Sequence, residues 1–388
     1  MSDLYFKGRV VLPDGISDKG VLVRDGKVLD AALSYPTADA EIIDAGSGYV
    51  LPGFIDMHVH GGGGYDFMGG SAEAIVEAAR AHCRCGTTAI YPTTMSCHMD
   101  VLYHFFDCYR DAMKLDCGAD LMGIHMEGPY FGPGHSGAQN PELLRHPTPE
   151  ETTEILSRGG NLVKRISLAP ELPGTEGIVR TMKERGILVA SAHSDADFDE
   201  LSASIPWGLS HLTHFYNVTT MYHKKNQKVH GGIVEAGFYY DDLTLELIGD
   251  GHHIPQEIML LCCKLKGYDH VALITDSMRA AGTDAKESFL GSLQERWPVI
   301  IDDGVAKLPD KTRFAGSIAT ADRLWKIAHL KYGIPLVDVC NMMSETPAKI
   351  MGIQEQKGGI KAGHDADIVV VSDKFDVKGV WVRGNRKV

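Results

Sequence analysis

Several features that would restrict the class of this protein are missing from its sequence. No two of its eight cysteines form a Cys-x-x-Cys pair, so reduced thiols are the simplest interpretation. No uncharged apolar run reaches about 18 residues, the length that a membrane span requires. The start, "MSDLYFKGRV", lacks the basic residues and long apolar run of a signal peptide. We therefore expect a cytoplasmic protein whose cysteines are not catalytic.

Positive charge is scarce relative to negative charge. The chain has 38 Lys and Arg residues against 51 Asp and Glu residues, which gives a formal net charge of −13. This balance argues against nucleic acid or an anionic membrane as the main partner. A phosphate group on a substrate would need a local cationic pocket. With 388 residues, 44% of them hydrophobic, the chain can bury a large core.

The two ends of the chain share a sequence pattern typical of short β-strands, which the middle lacks. Residues 1 to about 50 contain short apolar segments separated by turn signals such as Asp14-Gly15 and Asp25-Gly26. The far end returns to the same pattern in "HDADIVVVSDKFDVKGVWVRGNRKV". Both ends are therefore expected to build one small β-domain, formed by residues 1–52 and 355–388.

The middle, residues 53–354, alternates short apolar strands with helical segments. This order is typical of a parallel α/β fold, and eight strand–helix units over about 300 residues fit a (β/α)8 TIM-like barrel. A doubly wound sheet is the alternative. The predicted strands end near His60, Thr94, Glu127, Glu171, His193, His214, His253 and Asp276.

Most of these strand ends carry a residue that can bind a metal or move a proton. A single such histidine is more often structural, but here they recur along the chain: His58, His60, His125, Glu127, His193, His211, His214, His252, His253 and Asp276. In a barrel the carboxyl ends of all strands meet on one face, where active sites form. The repetition therefore favours a metal-dependent active site.

The residue types indicate hydrolysis. Alternation along a strand places His58 and His60 on the same side. Imidazole nitrogen and carboxylate oxygen, with Glu127 able to bridge two ions, suit Zn²⁺ or Fe²⁺. A metal lowers the pKa of bound water from 15.7 towards about 7. Asp276 is then placed to accept the water's proton and pass it to a leaving amine, as in amide hydrolysis.

The sequence also resembles a known family. "DAGSGYVLPGFIDMHVHG" and "GGIKAGHDADIVVVSD" resemble the segments that lead into and out of the barrel in the amidohydrolase superfamily. The motifs "GIHMEGPYF", "HSGAQNP", "LAPE", "AHSDA", "THFYN", "GDGHH" and "ITDSMRAAG" resemble, in this order, those of the N-acetylglucosamine-6-phosphate deacetylase family. The resemblance covers essentially the whole chain. It implies a barrel with a small β-sandwich domain.

The resemblance implies a role for each candidate metal ligand. Glu127, His193 and His214 would bind the main metal, and His58 and His60 would hold a second one that Glu127 bridges. Asp276 takes the general acid/base role. His214 is preferred to His211 because it lies three residues before an asparagine, as in the family motif; His211 is then structural. His125 is expected to lie behind the ligands.

Substrate contacts are also implied by the resemblance. They are expected from Ala138, Gln139, Asn217, the backbone of Val218, Lys225, His253 and the Phe314-Ala315-Gly316 loop. His253 rather than His252 fits the family's Asp-Gly-x-His spacing. Family members are homodimers in which the loop after the asparagine, here 219–232, reaches the neighbouring subunit's site.

Two positions depart from the family pattern. Lys225 stands where the family has a phosphate-binding Arg, and lysine binds phosphate as a point charge rather than through a bidentate fork. Lys224, Lys225 and Lys228 form a basic patch, with a merely solvated loop as the alternative. Gln139 stands where the family commonly has His at the acetamide; its amide can still donate a hydrogen bond. Both departures concern substrate recognition.

The implied reaction is hydrolysis of N-acetyl-D-glucosamine 6-phosphate to D-glucosamine 6-phosphate and acetate, in amino-sugar catabolism. One alternative is a deacetylase of N-acetylgalactosamine 6-phosphate or of an unphosphorylated amino sugar. Cyclic-amide hydrolysis is less favoured because such enzymes bridge their metals with a modified lysine. A non-catalytic scaffold protein is a remote alternative, since such proteins tend to lose the ligands that this chain keeps.

Overall fold

The structure is a computed structural model and describes residues 3–293 and 296–388, apart from the side chain of Lys225. Eight parallel strands run through this described part, and we call them the central strands. In chain order they are Phe54–Val59, Thr87–Pro92, Ile124–Glu127, Val163–Leu168, Leu188–Ser191, Leu209–Leu212, Thr244–Ile248 and Val271–Ile274.

Each central strand lies beside the next one in the chain. Six of these neighbour pairs are parallel ladders. The second and third strands are joined by the parallel bridge between Thr93 and His125. Backbone bonds also connect the last strand end to the first: Asp276 N–H donates to His58 at 3.0 Å, and His60 N–H donates to Ser277 at 2.9 Å. All eight strands therefore end at one face.

Helices follow most of the central strands. Their apolar sides pack on the strands, which are themselves almost entirely buried and correspondingly rich in Val, Ile and Leu. The α-helices of the described residues are Ala72–Cys83, Met99–Ala112, Pro149–Gly159, Thr175–Glu184, Phe198–Ser204, Ile233–Tyr239, Gln256–Lys266, Ala321–Lys326, Leu336–Met343 and Glu345–Ile350. A π-helical segment, Ile327–Lys331, continues one of them.

The predicted ends of two central strands need correction. The fourth strand ends at Leu168, before Glu171, and the seventh ends at Ile248, five residues before His253. The segment after Ile248 turns because Asp250 accepts the backbone N–H groups of His252 and His253, both at 2.9 Å. This local turn replaces the strand ladder.

Strands from both termini share one sheet. Its order is Asn385–Arg386, Val377–Val382, Ile368–Val371, Glu41–Pro52, Leu4–Leu12, Gly20–Arg24 and Lys27–Leu33, with Gly15–Ser17 paired to Leu4–Leu12. The turn at Asp25-Gly26 has φ of 49° and 77°, as a two-residue hairpin loop requires. A separate apolar cluster, which includes Phe6, Val50 and Trp381, lies on this terminal sheet.

Three smaller strand groups extend from the central strands. They are the hairpin His223–Lys225 with Lys228–His230, the three-stranded sheet Glu287–Leu290, Trp297–Asp302 and Val305–Lys307, and the pair Gly61–Gly62 with Tyr65–Asp66. A short strand, Asp120–Leu121, runs parallel to Thr87–Pro92. Single 3₁₀ turns occupy Pro133–His135, Pro141–Leu143, Ile205–Trp207 and Tyr268–His270.

All eight cysteines are free, and burial raises the pKa of Cys262 and Cys263 to about 12, so they remain thiols at neutral pH. Among the described residues, every helix is too short or too polar to span a bilayer. The cytoplasmic location stays a prediction.

Candidate metal and active site

Glu127 lies at the centre of the predicted metal site. It ends the third central strand, is 2% exposed, and is surrounded by imidazoles from three other strand ends. The distances to its carboxylate oxygens are short for all four rings: His214 Nε2 at 3.1 Å, His193 Nε2 at 3.3 Å, and His58 Nε2 and His60 Nε2 at 3.4 Å. The structure therefore brings together the five residues predicted as ligands.

The donor set fits a divalent metal. His58 Nε2 and His60 Nε2 lie 3.3 Å apart, and His193 Nε2 and His214 Nε2 lie 3.2 Å apart. With Glu127 each pair forms a group whose donor atoms all lie within 4.8 Å of one another. Two imidazole nitrogens facing each other share at most one proton comfortably, whereas neutral nitrogens and a carboxylate oxygen are preferred donors for Zn²⁺ or Fe²⁺.

The electrostatics of the site also favour a cation. Burial alone would lower the pKa of His58, but the carboxylates of Glu127 and Asp276 raise it to about 10. Burial alone would raise the pKa of Glu127, but His58 and the hydrogen bonds from His193 and His214 hold it well below its usual range. The surroundings thus stabilise positive charge between carboxylates that remain ionised.

Asp276 lies against the same two histidines. Its Oδ1 is 3.2 Å from His60 Nε2 and 3.4 Å from His58 Nε2. Burial would raise the pKa of Asp276, but the charge of His58 and the hydrogen bond to His60 outweigh it and lower the pKa. Asp276 is therefore ionised beside the candidate ligands, as the predicted proton acceptor must be.

The backbone is unusual where these residues lie. His193, His214 and Asp276 have φ values of 46°, 29° and 45°, in the left-handed region that non-glycine residues rarely occupy. Such strain persists where surrounding structure enforces it, and it clusters at active sites. The three side chains are thus turned towards the site at an energetic cost.

A cavity of about 340 Å³ opens from this group of residues, a size typical of small-ligand sites. Residues at its base are His60, Glu127, His193, His214 and Asp276. Predicted substrate residues line its walls: Ala138, Gln139, Asn217, Val218, His253, Phe314 and Gly316. Met95, Ile248, Leu290, Thr312 and Arg313 also line it, and none of these was predicted from the sequence.

Comparison with known proteins identifies the family. The model of the amidohydrolase family matches residues 49–387. The chain belongs to the amidohydrolase family. An N-acetylglucosamine-6-phosphate deacetylase of Bacillus subtilis (strain 168) is 32% identical over 370 residues, covering 94% of this chain and 91% of that protein. An N-acetylgalactosamine-6-phosphate deacetylase of Escherichia coli O157:H7 is 29% identical over 387 residues, covering 97% of each chain.

A solved structure agrees with this assignment. The N-acetyl-D-glucosamine-6-phosphate deacetylase of Mycobacterium smegmatis, as a mutant in complex with N-acetyl-D-glucosamine-6-phosphate, superposes with a TM-score of 0.91. The two chains are 25% identical, and each is covered completely. Amidohydrolases are metal-dependent, and the histidine–glutamate groups of this chain fit that chemistry.

Two of the candidate ligand histidines of this amidohydrolase are oriented by bonds to the ring nitrogen that points away from Glu127. His193 Nδ1 donates to the carbonyl of His135 at 3.0 Å, and His58 Nδ1 lies 2.8 Å from Glu246 Oε1. A proton held on Nδ1 leaves Nε2 as the free donor atom. Such partners fix the tautomer and orientation of metal-binding histidines.

Glu246 and Arg165 form a buried pair beneath the site that sequence reasoning missed. Arg165 donates to both Glu246 oxygens, at 2.6 Å and 2.8 Å, and neither side chain is exposed. The pair also contacts Thr213, through a 2.8 Å bond from Arg165. The available signal was a charged residue inside each apolar strand, "VKRISL" and "TLELI".

His125 and His211 lie outside both donor groups. The nitrogens of His125 are engaged by Thr93 Oγ1 at 3.2 Å and Ser167 Oγ at 2.7 Å, and its ring packs against His58 with centroids 4.6 Å apart. His211 contacts Thr244 and Glu246. Burial lowers the pKa of both rings, that of His211 to about 4, so they remain neutral.

The side-chain amide of Gln139 is hydrogen-bonded to Glu127 and is not free to contact a substrate. Its amide nitrogen donates to Glu127 Oε2 at 3.0 Å, and its amide oxygen accepts from the Ser96 N–H at 2.9 Å. Asn217 is different, because its buried Nδ2 has no partner among the described residues. An amide donor is therefore available in the cavity wall at Asn217.

The remaining predicted substrate residues follow the cavity wall. His253 Nδ1 lies 2.8 Å from Asp250 Oδ2, and its ring packs against Phe314 with centroids 4.8 Å apart. Ala315 lies behind them, fully buried, with its N–H donated to Ala306. Lys225 lies at the end of the strand His223–Lys225, and its side chain is outside the part that the structure describes.

Proposed function

We propose that this amidohydrolase hydrolyses the acetamide of N-acetyl-D-glucosamine 6-phosphate to D-glucosamine 6-phosphate and acetate. The observation that carries the proposal is the convergence of four imidazoles on Glu127, with Asp276 in the same cavity. The relatives named N-acetylglucosamine-6-phosphate deacetylase support the substrate class.

Two metal ions per subunit are proposed, with Zn²⁺ or Fe²⁺ as the candidates. His193 and His214 would hold one and His58 and His60 the other, with Glu127 shared between them. When bound, the metal would polarise the acetamide carbonyl and lower the pKa of the attacking water. Both donor groups are complete in this chain, which supports two ions rather than one.

The chain's own residues then handle the protons. Asp276 takes a proton from the water as its oxygen adds to the acetamide carbon. Asp276 returns that proton to the sugar nitrogen as the C–N bond breaks, so the sugar leaves as a neutral amine. The acetyl group leaves as acetic acid, which carries the water's oxygen and remaining hydrogen and ionises to acetate in solution. The apolar wall of Met95, Ile248 and Leu290 limits the access of other water molecules.

The sugar is the part of the proposal with a specific rival. The E. coli relative is named an N-acetylgalactosamine-6-phosphate deacetylase and matches this chain over 97% of its length. The chain departs from the family motif at Lys225, on the expected substrate side, and at Gln139, whose amide donates to Glu127 at the cavity base. N-acetylgalactosamine 6-phosphate is therefore the second candidate substrate.

The domain arrangement and assembly are proposed as well. The central strands would close as a (β/α)8 barrel, residues 53–354, and the terminal sheet would form a small β-sandwich domain from 1–52 and 355–388. The boundary is supported by the strand Glu41–Pro52, which ends next to Phe54–Val59. A homodimer is proposed in which 219–232 reaches the neighbouring site. Exposed Tyr222 and Val229 support such a contact.

An acetate-release assay tests the reaction. The purified protein, loaded with Zn²⁺ or Fe²⁺, is given N-acetylglucosamine 6-phosphate, N-acetylgalactosamine 6-phosphate and the two unphosphorylated sugars in parallel. We expect the highest kcat/KM for N-acetylglucosamine 6-phosphate. A higher value for the galactosamine compound would favour the second candidate, and no acetate from any sugar by the metal-loaded protein would contradict the proposal.

Asp276→Asn supplies the mechanistic control. The variant keeps the size and hydrogen-bonding ability of the side chain but cannot take a proton from water. We expect kcat to fall about 10²- to 10⁴-fold while metal content is retained. A turnover close to that of the wild type would exclude Asp276 as the base.

A further inference from the structure

Arg313 lines the same cavity as the candidate metal ligands but was not expected there. It follows Thr312 and precedes Phe314, a predicted substrate residue. Among the described residues that line the cavity, Arg313 is the one whose side chain carries a permanent positive charge. Its exposed side chain lies at the cavity mouth, whereas Glu127 and Asp276 are buried at the base. The cavity thus has acidic groups at one end and a guanidinium at the other.

The position of Arg313 is held by backbone structure. Its carbonyl accepts from the Leu308 N–H at 3.0 Å, and the next residue, Phe314, bridges to Lys307. The guanidinium NH1 donates to the carbonyl of Gly137 at 3.0 Å. Gly137 belongs to the segment that supplies Gln139, the partner of Glu127. Arg313 is thereby tethered across the cavity mouth to the loop that supports the metal site.

Within the described part of the chain the guanidinium of Arg313 forms no salt bridge, although Asp310 is near enough that Arg313, after the bonds from Thr312, helps to lower the pKa of Asp310. Among the described residues, no Asp or Glu oxygen lies within 4.0 Å of its guanidinium nitrogens. Asp310, three residues earlier, accepts from Thr312 N–H at 3.0 Å and from Thr312 O–H at 2.7 Å. By contrast Lys311, on the same loop, is paired with Asp302 at 3.0 Å. Only one of the five N–H groups of Arg313 is used by Gly137, so the others can serve an anion.

We propose that Arg313 receives the phosphate group of the substrate within its own subunit and sets the preference for phosphorylated sugars. The inference rests on the proposed deacetylase function. With the acetamide at the acidic base of the cavity, the far end of the sugar meets the guanidinium. Arginine binds phosphate through two parallel N–H bonds, a geometry that lysine lacks. In a chain with a net charge of −13, Arg313 is a local cation of the kind that a phosphate needs.

The test compares Arg313→Ala and Arg313→Lys with Lys311→Ala. Acetate release is measured on N-acetylglucosamine 6-phosphate and on N-acetylglucosamine, with the metal-loaded protein. We expect the ratio of the two kcat/KM values to fall roughly 10- to 100-fold in Arg313→Ala, mainly through KM for the phosphorylated sugar. The ratio for Arg313→Lys should lie between the ratios of Arg313→Ala and the wild type. Lys311→Ala, exposed and paired elsewhere, should keep the wild-type ratio.

A binding measurement provides the second readout. Titration of D-glucosamine 6-phosphate into each variant should show a weaker Kd for Arg313→Ala by the same factor, with metal content and thermal unfolding as in the wild type. The inference would be overturned if the wild type prefers the phosphorylated sugar and Arg313→Ala keeps the wild-type ratio of kcat/KM values and the wild-type Kd. Failure of the wild type to release acetate from either sugar would instead contradict the proposed function.

Discussion

At the scale of single residues, Glu246 connects His58, a candidate metal ligand, to a buried guanidinium. Its Oε1 lies 2.8 Å from His58 Nδ1, while Arg165 donates to both of its oxygens. Burial would raise the pKa of Glu246, but Arg165 and the bonds to His211 and His58 hold it well below its usual range. Glu246 is thus an ionised acceptor that keeps the His58 proton on Nδ1 and leaves Nε2 for a metal.

Glu246→Gln should therefore weaken metal binding at His58 and His60. The amide retains the shape of the side chain but gives up the charge that orients the imidazole. We expect about a 10- to 100-fold loss of affinity for the ion held by His58, with the ion at His193 and His214 retained. Metal content after competition with a chelator measures this loss directly.

His211→Asn is the matched control for that experiment. His211 contacts Glu246 Oε2 at 3.3 Å, in the same buried network, but contributes to neither donor group. The His211→Asn variant should therefore have the same metal content as the wild type. Equal metal loss in both variants would show that the network acts on folding in general and not on the orientation of His58.

The meeting of the candidate ligands could be predicted from the sequence, whereas the residues that support them could not. His58, His60, Glu127, His193, His214 and Asp276 each lie close to a strand end, and the convergence of parallel strand ends brings such residues together. Glu246 and Arg165 lie inside two different strands and are 81 residues apart in the chain. Their pairing depends on which two strands face each other across the interior. The periodicity of the sequence does not contain that information.

At the scale of elements, the hairpin His223–Lys225 with Lys228–His230, together with Tyr222 directly before it, presents apolar side chains to solvent. Asn226 and Gln227 have φ of 51° and 68°, so a two-residue loop joins the strands. Tyr222 and Val229 are 62% and 64% exposed, an unusual arrangement for a short solvated hairpin. The exposure is consistent with the proposed contact to a second subunit.

Charged residues on this hairpin should disrupt the proposed homodimer. In the double variant Tyr222→Glu with Val229→Glu, two like charges would have to be buried at the contact. We expect sedimentation velocity to show monomers where the wild type forms dimers. Met113→Glu, at a position 55% exposed beyond the end of the helix Met99–Ala112, is the control and should remain dimeric. A dimeric double variant would place the interface elsewhere.

Element type could be predicted more reliably than element ends. Alternating apolar and helical segments predicted the central strands, but the seventh strand ends five residues earlier than expected. Side chain–backbone bonds from Asp250 compete with the ladder there. His253 is nevertheless in the cavity, because Asp250 Oδ2 holds its ring at 2.8 Å. Loop chemistry rather than strand length thus determines where this side chain lies.

At the scale of the whole molecule, a buried lysine joins the terminal sheet to the central strands. Lys357 Nζ lies 2.7 Å from Asp120, 2.7 Å from Asp367 and 3.0 Å from Asp365, and its side chain is 0% exposed. Asp120 belongs to the strand beside Thr87–Pro92, and Asp367 directly precedes the sheet strand Ile368–Val371. The C-terminal part of the terminal sheet is therefore linked to the central strands through one charged group.

Lys357→Met should destabilise the protein by about 3–5 kcal/mol at pH 7, because it leaves buried carboxylates without a counter-ion. Burial would lower the pKa of Lys357, but Asp367 and Asp120 raise it, so its stabilising effect is present below about pH 10 and is lost only as pH rises through the higher folded-state value. The loss should hence be equal at pH 7 and pH 9. It should be smaller at pH 5, where the unpaired carboxylates take up protons.

The free energy of unfolding in urea, measured on the metal-loaded protein, checks this prediction. Lys361→Met is the matched control, because Lys361 pairs with Glu345 at 3.0 Å but is 38% exposed. An exposed pair of this kind contributes about 0–1 kcal/mol. A similar loss in both variants, or a loss for Lys357→Met that does not decrease at pH 5, would show that the terminal sheet is held by apolar contacts rather than by this charge cluster.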